Sequence, residues 1–345
     1  MADFDAVVLR EHGGPEVLRR ERLPALEPGP REIRVAVRAV ALNHLDLWVR
    51  RGGPAFKLRF PHRLGADVSG VVDALGAGVS DLEIGQRVVV NPGVSCGVCR
   101  ACLSGRDNLC RQYGILGEHR DGGYGQLLVV PRQNIAPYPG ELSFPEAAAG
   151  LLTFLTAWQM LVEKAAVRPG ETVLVQGAGS GVGVAGVQIA RLFGARVIAT
   201  AGSDDKLARL RELGAEAVIN YRTSDFVAEV KKLTDRRGVD VVFEHVGGAT
   251  FAGSVRATAS GGRIVTCGAT SGFTPEVDLR HIFFRQIAVL GSTMGSKGAL
   301  CEVLEHIAAG RLRPIVDRVM PLANAAEAHR LLESRAVFGK IVLEP

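Results

Sequence analysis

The sequence predicts a two-domain α/β protein, with a β-rich domain preceding a doubly wound parallel sheet. Three observations carry this expectation. The stretch "TVLVQGAGSGVGVAGVQIARLFGARVIAT", from Thr172, reads as strand, glycine turn, amphipathic helix and second strand. Four further apolar strands, in "AEAVINY", "VDVVFEHVGG", "GGRIVTCGAT" and "QIAVLGSTM", follow at intervals suited to a parallel sheet. Residues 1–150, in contrast, are rich in Gly, Pro and alternating Val and show little helical periodicity. A chain of 345 residues is long enough to bury two cores.

Within the first domain, set at residues 1–153, strands are expected over 6–10, 32–39, 70–75 and 86–91. Residues 91–111 break this pattern. They contain Pro92, Gly93 and Asn108, show neither helical nor strand periodicity, and read as a lobe. Here "CGVCRACLSGRDNLC" places Cys96, Cys99, Cys102 and Cys110 in a C-x2-C-x2-C-x7-C spacing, with Gly97 and Gly105 allowing the chain to fold round. Four soft thiolates on one loop suit a single tetrahedral zinc ion, and a closed shell of four makes that ion structural. An iron–sulfur cluster uses the same ligands and competes with zinc, although no second cysteine group or trailing Pro accompanies the run. Cys267 and Cys301 stand alone and are expected to be small buried hydrophobes.

The second domain, 154–290, opens on the first strand at 172–176. The turn Gly177-Ala178-Gly179-Ser180-Gly181-Val182-Gly183 leads into a helix over 184–193, closed by Gly194, and a strand over 196–200. Glycines let the backbone approach a pyrophosphate, which then rests on the N–H groups of the helix start. Flanked by strand and helix, the turn is a candidate dinucleotide site, and Ala178, Gly179, Ser180, Gly181, Val182 and Gly183 are its cofactor contacts. A tight turn without ligand is the plainer alternative.

The end of the second strand bears on the choice of dinucleotide. An acid about twenty residues beyond the glycines would bind the 2′-hydroxyl of NAD. The sequence there is Thr200-Ala201-Gly202-Ser203, and Asp204 and Asp205 read as the first turn of a helix that Ser203 caps. Ser203, Lys206, Tyr221 and Arg222 offer hydroxyl and cationic partners for a 2′-phosphate, so NADP(H) is favoured over NAD(H). The tail, 291–345, returns to helix and strand signals and is expected to complete the first domain.

Composition excludes several classes. No apolar run approaches the roughly 18 residues of a membrane span, and no secretory signal pattern appears at the N-terminus, so a cytoplasmic, membrane-free protein is expected. Reduced thiols in that compartment favour metal over disulfide. The net charge is +5 with only seven Lys among 41 basic residues, scattered along the chain, which disfavours nucleic acid as a partner.

Taken together, "GGPEVL", "GAGVSDLEIGQRV", the cysteine lobe, "GAGSGVG" and the closing "GKIVL" resemble the medium-chain dehydrogenase/reductase superfamily nearly end to end. That resemblance implies a GroES-like catalytic domain joined to a Rossmann domain, one structural zinc at the four cysteines, a nicotinamide cofactor with Lys340 near it, and a homodimer or homotetramer. It also implies an active-site departure. Where the zinc alcohol dehydrogenases of the family carry their catalytic ligands, this chain has Asn43, Ala66 and Leu152, none of which supplies the thiolate or imidazole such a site needs. An improvised site from His44, Asp46 and Asp67 is the remaining metal alternative.

The segment "ALNHLDLWVRRG" and the run "LTFLTAW" look like the zinc-free quinone oxidoreductase branch. On this reading hydride passes to a quinone or an α,β-unsaturated carbonyl. Asn43 donates a hydrogen bond to the developing oxyanion, Asp46 orients it, Trp48 shapes an apolar wall, and Thr153 or Thr156 adds a hydroxyl. For each there is a plainer role: Asn43 as a helix cap, Asp46 in its first turn, Trp48 in the core. An alcohol dehydrogenase with aldehyde or alcohol as substrate, and a non-catalytic nucleotide- or RNA-binding protein, are the competing functions.

Overall fold

The valine-rich N-terminal runs form strands because alternate β-branched side chains share one buried face. The computed structural model describes residues 3–54 and 56–345 and separates into two units, Met1–Leu152 with Gly295–Pro345, and Thr153–Met294. The first strands are β1 (Phe4–Val8), β2 (Arg19–Leu23) and β3 (Glu32–Ala41). Helix α1 (His44–Arg51), β4 (Asp67–Leu75) and β5 (Arg87–Val90) follow. The lobe holds β6 (Gly93–Val94), α2 (Arg100–Leu103) and β7 (Gly114–Ile115). Strands β8 (Leu127–Pro131) and β9 (Ile135–Pro137) and helix α3 (Phe144–Ala149) close the N-terminal part.

At the unit boundary α4 (Leu152–Trp158) runs into a π-helical turn, Gln159–Lys164. The second unit then alternates β10 (Thr172–Val175), α5 (Gly181–Leu192), β11 (Arg196–Ala201), α6 (Asp204–Glu212), β12 (Ala217–Asn220) and α7 (Phe226–Leu233). It continues through β13 (Val239–Glu244), α8 (Phe251–Ala257), β14 (Thr258–Thr266), α9 (Arg280–Phe283) and β15 (Ala288–Gly291). Its six strands lie in the order β12-β11-β10-β13-β14-β15, every neighbour parallel. Strand order reverses between β10 and β13, the switch point at which doubly wound sheets bind ligands. β10 is buried at every residue, as expected of a strand covered on both faces.

The return segment supplies α10 (Lys297–Ala308), β16 (Val316–Pro321), α11 (Ala325–Glu333) and β17 (Lys340–Glu344). β17 pairs antiparallel to β3, Val342 opposite Ala41, in a sheet ordered β16-β17-β3-β4-β5-β9, with β8 also on β3. The unit bounds fall one residue before the expected division at 153 and four after that at 290. Two element ends differ in ways that matter. β4 starts at Asp67, three residues before the expected 70, because pairing continues to Ala41 opposite Asp67. Helix α5 starts at Gly181, three before the expected 184, because the Ser180 side chain caps it by accepting from the Gly183 N–H at 3.1 Å. No described helix is long and apolar enough to cross a membrane.

Candidate active site and zinc lobe

The four lobe cysteines converge. Sulfur separations are 3.6 Å from Cys99 to Cys102, 3.6 Å from Cys110 to Cys96 and 3.8 Å from Cys96 to Cys102. Thiolates bonded to zinc at about 2.3 Å in a tetrahedron stand about 3.8 Å apart, so the donor set fits one ion and leaves no position for water or substrate. N–H groups of Val98 and Cys99, with the Cys110 thiol, pull the Cys96 thiol down to about 6, towards the thiolate a metal needs. Lys297, opening α10, braces the lobe: its Nζ donates to Asp107 Oδ2 at 2.9 Å and Ser95 Oγ at 2.7 Å, and its N–H to Asp107 Oδ1 at 2.9 Å. Cys301 corrects an expectation, being exposed on α10. Cys267 is part-buried, and burial pushes its thiol up to about 12.

Purified protein is expected to carry about one zinc per chain, and Cys99→Ser to lose it with a lower melting temperature. Metal analysis by mass spectrometry tests both. Two tightly held zinc ions per chain would contradict the reading of Asn43, Ala66 and Leu152.

Those three positions are brought together around one carboxylate. Asp67, fully buried at the start of β4, accepts at Oδ2 from Asn43 Nδ2 (2.9 Å) and at Oδ1 from the Leu152 N–H (2.8 Å). Ala66 precedes it, also buried. Into this group reaches Lys340, the first residue of β17, whose Nζ donates to Asp67 Oδ2 at 3.0 Å and to Asn43 Oδ1 at 2.6 Å. Lys340, expected beside the cofactor, is thus buried in an ion pair. The pairing of β17 with β3 puts it there.

Asn43 is the N-cap of α1, as its plainer reading had it, and its side chain is also held by Asp67 and Lys340. Its second Nδ2 proton has only the Ala41 carbonyl, at 3.5 Å, too long for a strong bond. The role expected of Asp46 is corrected. Its Oδ2 accepts from the Asn43 backbone N–H at 2.7 Å and its Oδ1 from the Gly65 N–H at 2.9 Å, so it fixes the helix entry and not the amide. Burial raises the Asp46 carboxyl to about 6 in spite of those bonds.

Among the described residues the four cysteines are the one group of three or more metal-ligating side chains that gather, and His44, Asp46 and Asp67 do not. Trp48 is half-buried on α1. Thr153 and Thr156 are buried on α4 in the second unit, and the Thr156 hydroxyl has no hydrogen-bond partner.

In the second unit the glycine turn packs tightly against the start of α5. A Cβ on Gly183 would stand 2.6 Å from the Ala178 backbone, so helix and turn pack at a distance only glycine allows. Thr200 fastens the turn, its Oγ1 accepting from the Gly177 N–H at 3.0 Å and its carbonyl from the Ala178 N–H at 2.8 Å. Ala178, Gly179 and Ser180 precede α5, with Gly181, Val182 and Gly183 in its first turn. At the end of β11, Ser203 is the N-cap of α6 without a side-chain capping bond, which leaves its hydroxyl for other use. The Tyr221 hydroxyl and Arg222 Nε lie over Gly202, 2.7 and 3.1 Å from where its Cβ would be. Lys206 lies in the first turns of the same helix.

Residues 29–140 match the alcohol dehydrogenase GroES-like domain and residues 181–309 the zinc-binding dehydrogenase model. The quinone oxidoreductase of Lama guanicoe is 30% identical, the match covering 98% of this chain and 96% of that protein. The chain belongs to the medium-chain dehydrogenase/reductase superfamily. Among solved members, a structure described as an NAD-dependent alcohol dehydrogenase is 56% identical with a TM-score of 0.96 over 99% of each chain. A crotonyl-CoA carboxylase/reductase in complex with NADP is 25% identical with a TM-score of 0.92 over 99% of this chain and 95% of that one. This medium-chain dehydrogenase/reductase is an NAD(P)H-dependent oxidoreductase with the GroES-like and Rossmann folds expected. Relatives named as enzymes do not favour the non-catalytic or RNA-binding alternative.

Proposed function

We propose that the protein reduces a quinone or an α,β-unsaturated carbonyl with NADPH, using a structural zinc and no catalytic one. The observation that carries this reading is the buried group Asn43–Asp67–Lys340. All three positions that would hold a catalytic metal meet at Asp67, and the positive charge there is the Lys340 ammonium. Asn, Ala and Leu lack the donors for zinc. Without a Lewis acid an ordinary alkoxide is poorly stabilised, whereas an electron-poor acceptor takes hydride into a delocalised anion. The nicotinamide, when bound, supplies the hydride. Asn43 offers its second amide proton and Lys340 its charge to the oxyanion, donors preset by Asp67. Trp48 would provide apolar wall, and Thr153 or the unpartnered Thr156 hydroxyl a further donor.

Ala178 to Gly183 would hold the pyrophosphate, and Ser203, Lys206, Tyr221 and Arg222 the 2′-phosphate. The similarity to a quinone oxidoreductase and to a crotonyl-CoA carboxylase/reductase in complex with NADP supports this reading. The 56% identical alcohol dehydrogenase, NAD-dependent by its description, favours a second: alcohol–aldehyde interconversion with NAD. Replacing both Lys206 and Arg222 by Ala is expected to weaken NADPH binding and leave NADH little changed, since only NADPH has a 2′-phosphate to lose. Fluorescence titration of both cofactors tests this, and equal losses would remove these residues from phosphate reading.

The same proposal includes a homodimer or homotetramer in the cytoplasm. Edge strand β15 and α9 expose Val289, Phe283 and Phe284, and four ordered thiols suit a reducing compartment.

A further inference from the structure

A cavity of about 340 Å³ opens in the second unit, lined by Lys231, Arg236, Arg237, Arg256, His281 and Arg285, with no carboxylate in its wall. It lies where α7 and α8 end and β13 begins, so it opens at the amino-terminal edge of the parallel sheet. The dinucleotide turn follows the carboxyl end of β10, which runs parallel to β13. The two sites are therefore at opposite edges of one sheet.

Part of this positive charge is accounted for. Arg237 pairs with Asp240 at 2.6 Å. Arg285 donates to the Val255 and Thr258 carbonyls, each at 2.7 Å, capping the end of α8. Lys231, Arg236 and Arg256 are exposed and form no ion pair among the described residues. Helix C-termini favour nearby cations by a fraction of a kcal/mol each, which does not explain three unpaired charges, from two helices and a turn, gathered round one concavity. Guanidinium groups in such a setting form charge-assisted, forked bonds to phosphate oxygens.

We infer that this cavity binds a small, multiply charged phosphate compound, of the pyrophosphate or phosphate-ester class, independently of the dinucleotide turn. Calorimetric titration of the intact protein with inorganic pyrophosphate tests this. Saturable binding is expected, weakened about tenfold or more by Arg256→Glu and by Lys231→Glu and kept in Arg222→Ala. Both substituted positions are exposed, and a melting curve on each variant confirms the fold. Should Arg256→Glu unfold, Lys231→Gln is expected to report a smaller loss of the same sign. Absence of saturable binding at millimolar pyrophosphate would overturn the inference. So would binding untouched by both charge reversals, binding lost in Arg222→Ala alone, or equal weakening in all variants.

Discussion

Lys340→Met is expected to destabilise the protein by about 3–5 kcal/mol, the cost of leaving a buried carboxylate without its partner. Asp67 is fully buried, and among the described residues its oxygens accept from the Asn43 amide, the Leu152 N–H and the Lys340 ammonium. Removing the ammonium leaves that charge in a low-dielectric site with two neutral donors. Adding Asp67→Asn to Lys340→Met is expected to restore most of the loss. The neutral side chain still accepts from Leu152, and its new amide protons can meet the Asn43 oxygen that Lys340 releases. Turnover stays low in both variants, because the cation is gone. Denaturant unfolding of the two single variants and the double gives the coupling directly. Strictly additive losses would show that the pair does not interact. A large drop in NADPH affinity with unchanged stability would return Lys340 to the cofactor role first expected of it.

Asn43→Ala carries the second large effect. If the free amide proton meets the oxyanion, turnover should fall roughly 10²-fold. Losing the side-chain bonds to Asp67 and Lys340 should cost about 1 kcal/mol or more of stability in any event, so stability does not discriminate and turnover does. Cofactor affinity should be unchanged. Near-normal turnover in a variant with a lowered melting point would leave Asn43 as a cap and a partner of Lys340, with no part in the chemistry.

Both folds and the convergence of the four cysteines were legible in the sequence because each depends on local pattern. Glycine spacing between a strand and a helix, and cysteine spacing on one loop, are short-range signals, and the distances among Cys96, Cys99, Cys102 and Cys110 follow from them. The Asn43 group was only half legible. Its members lie on α1, β4 and β17, nearly three hundred residues apart, and β-pairing alone brings Lys340 to Asp67. Periodicity gives no hint of such a contact, and it was the family resemblance that put Lys340 near the cofactor. One signal was available for Asp67: a carboxylate opening the apolar run at 67–72 must be paired once buried. Asp46 was misassigned for a different reason. Asn43 and Asp46 are three residues apart at a helix start, where the side chain at the third position characteristically turns back to a backbone N–H.

Chemistry at the Asn43–Asp67–Lys340 group needs, on the proposed function, an electron-poor acceptor and no catalytic metal. The most direct test is NADPH oxidation assayed with a quinone, an enone and an aldehyde before and after chelator treatment, at a temperature where circular dichroism shows the fold retained. Reduction of the quinone or enone that survives loss of zinc, with aldehyde near background throughout, is the predicted result. Fast aldehyde reduction that disappears with the metal and returns when zinc is restored would contradict it.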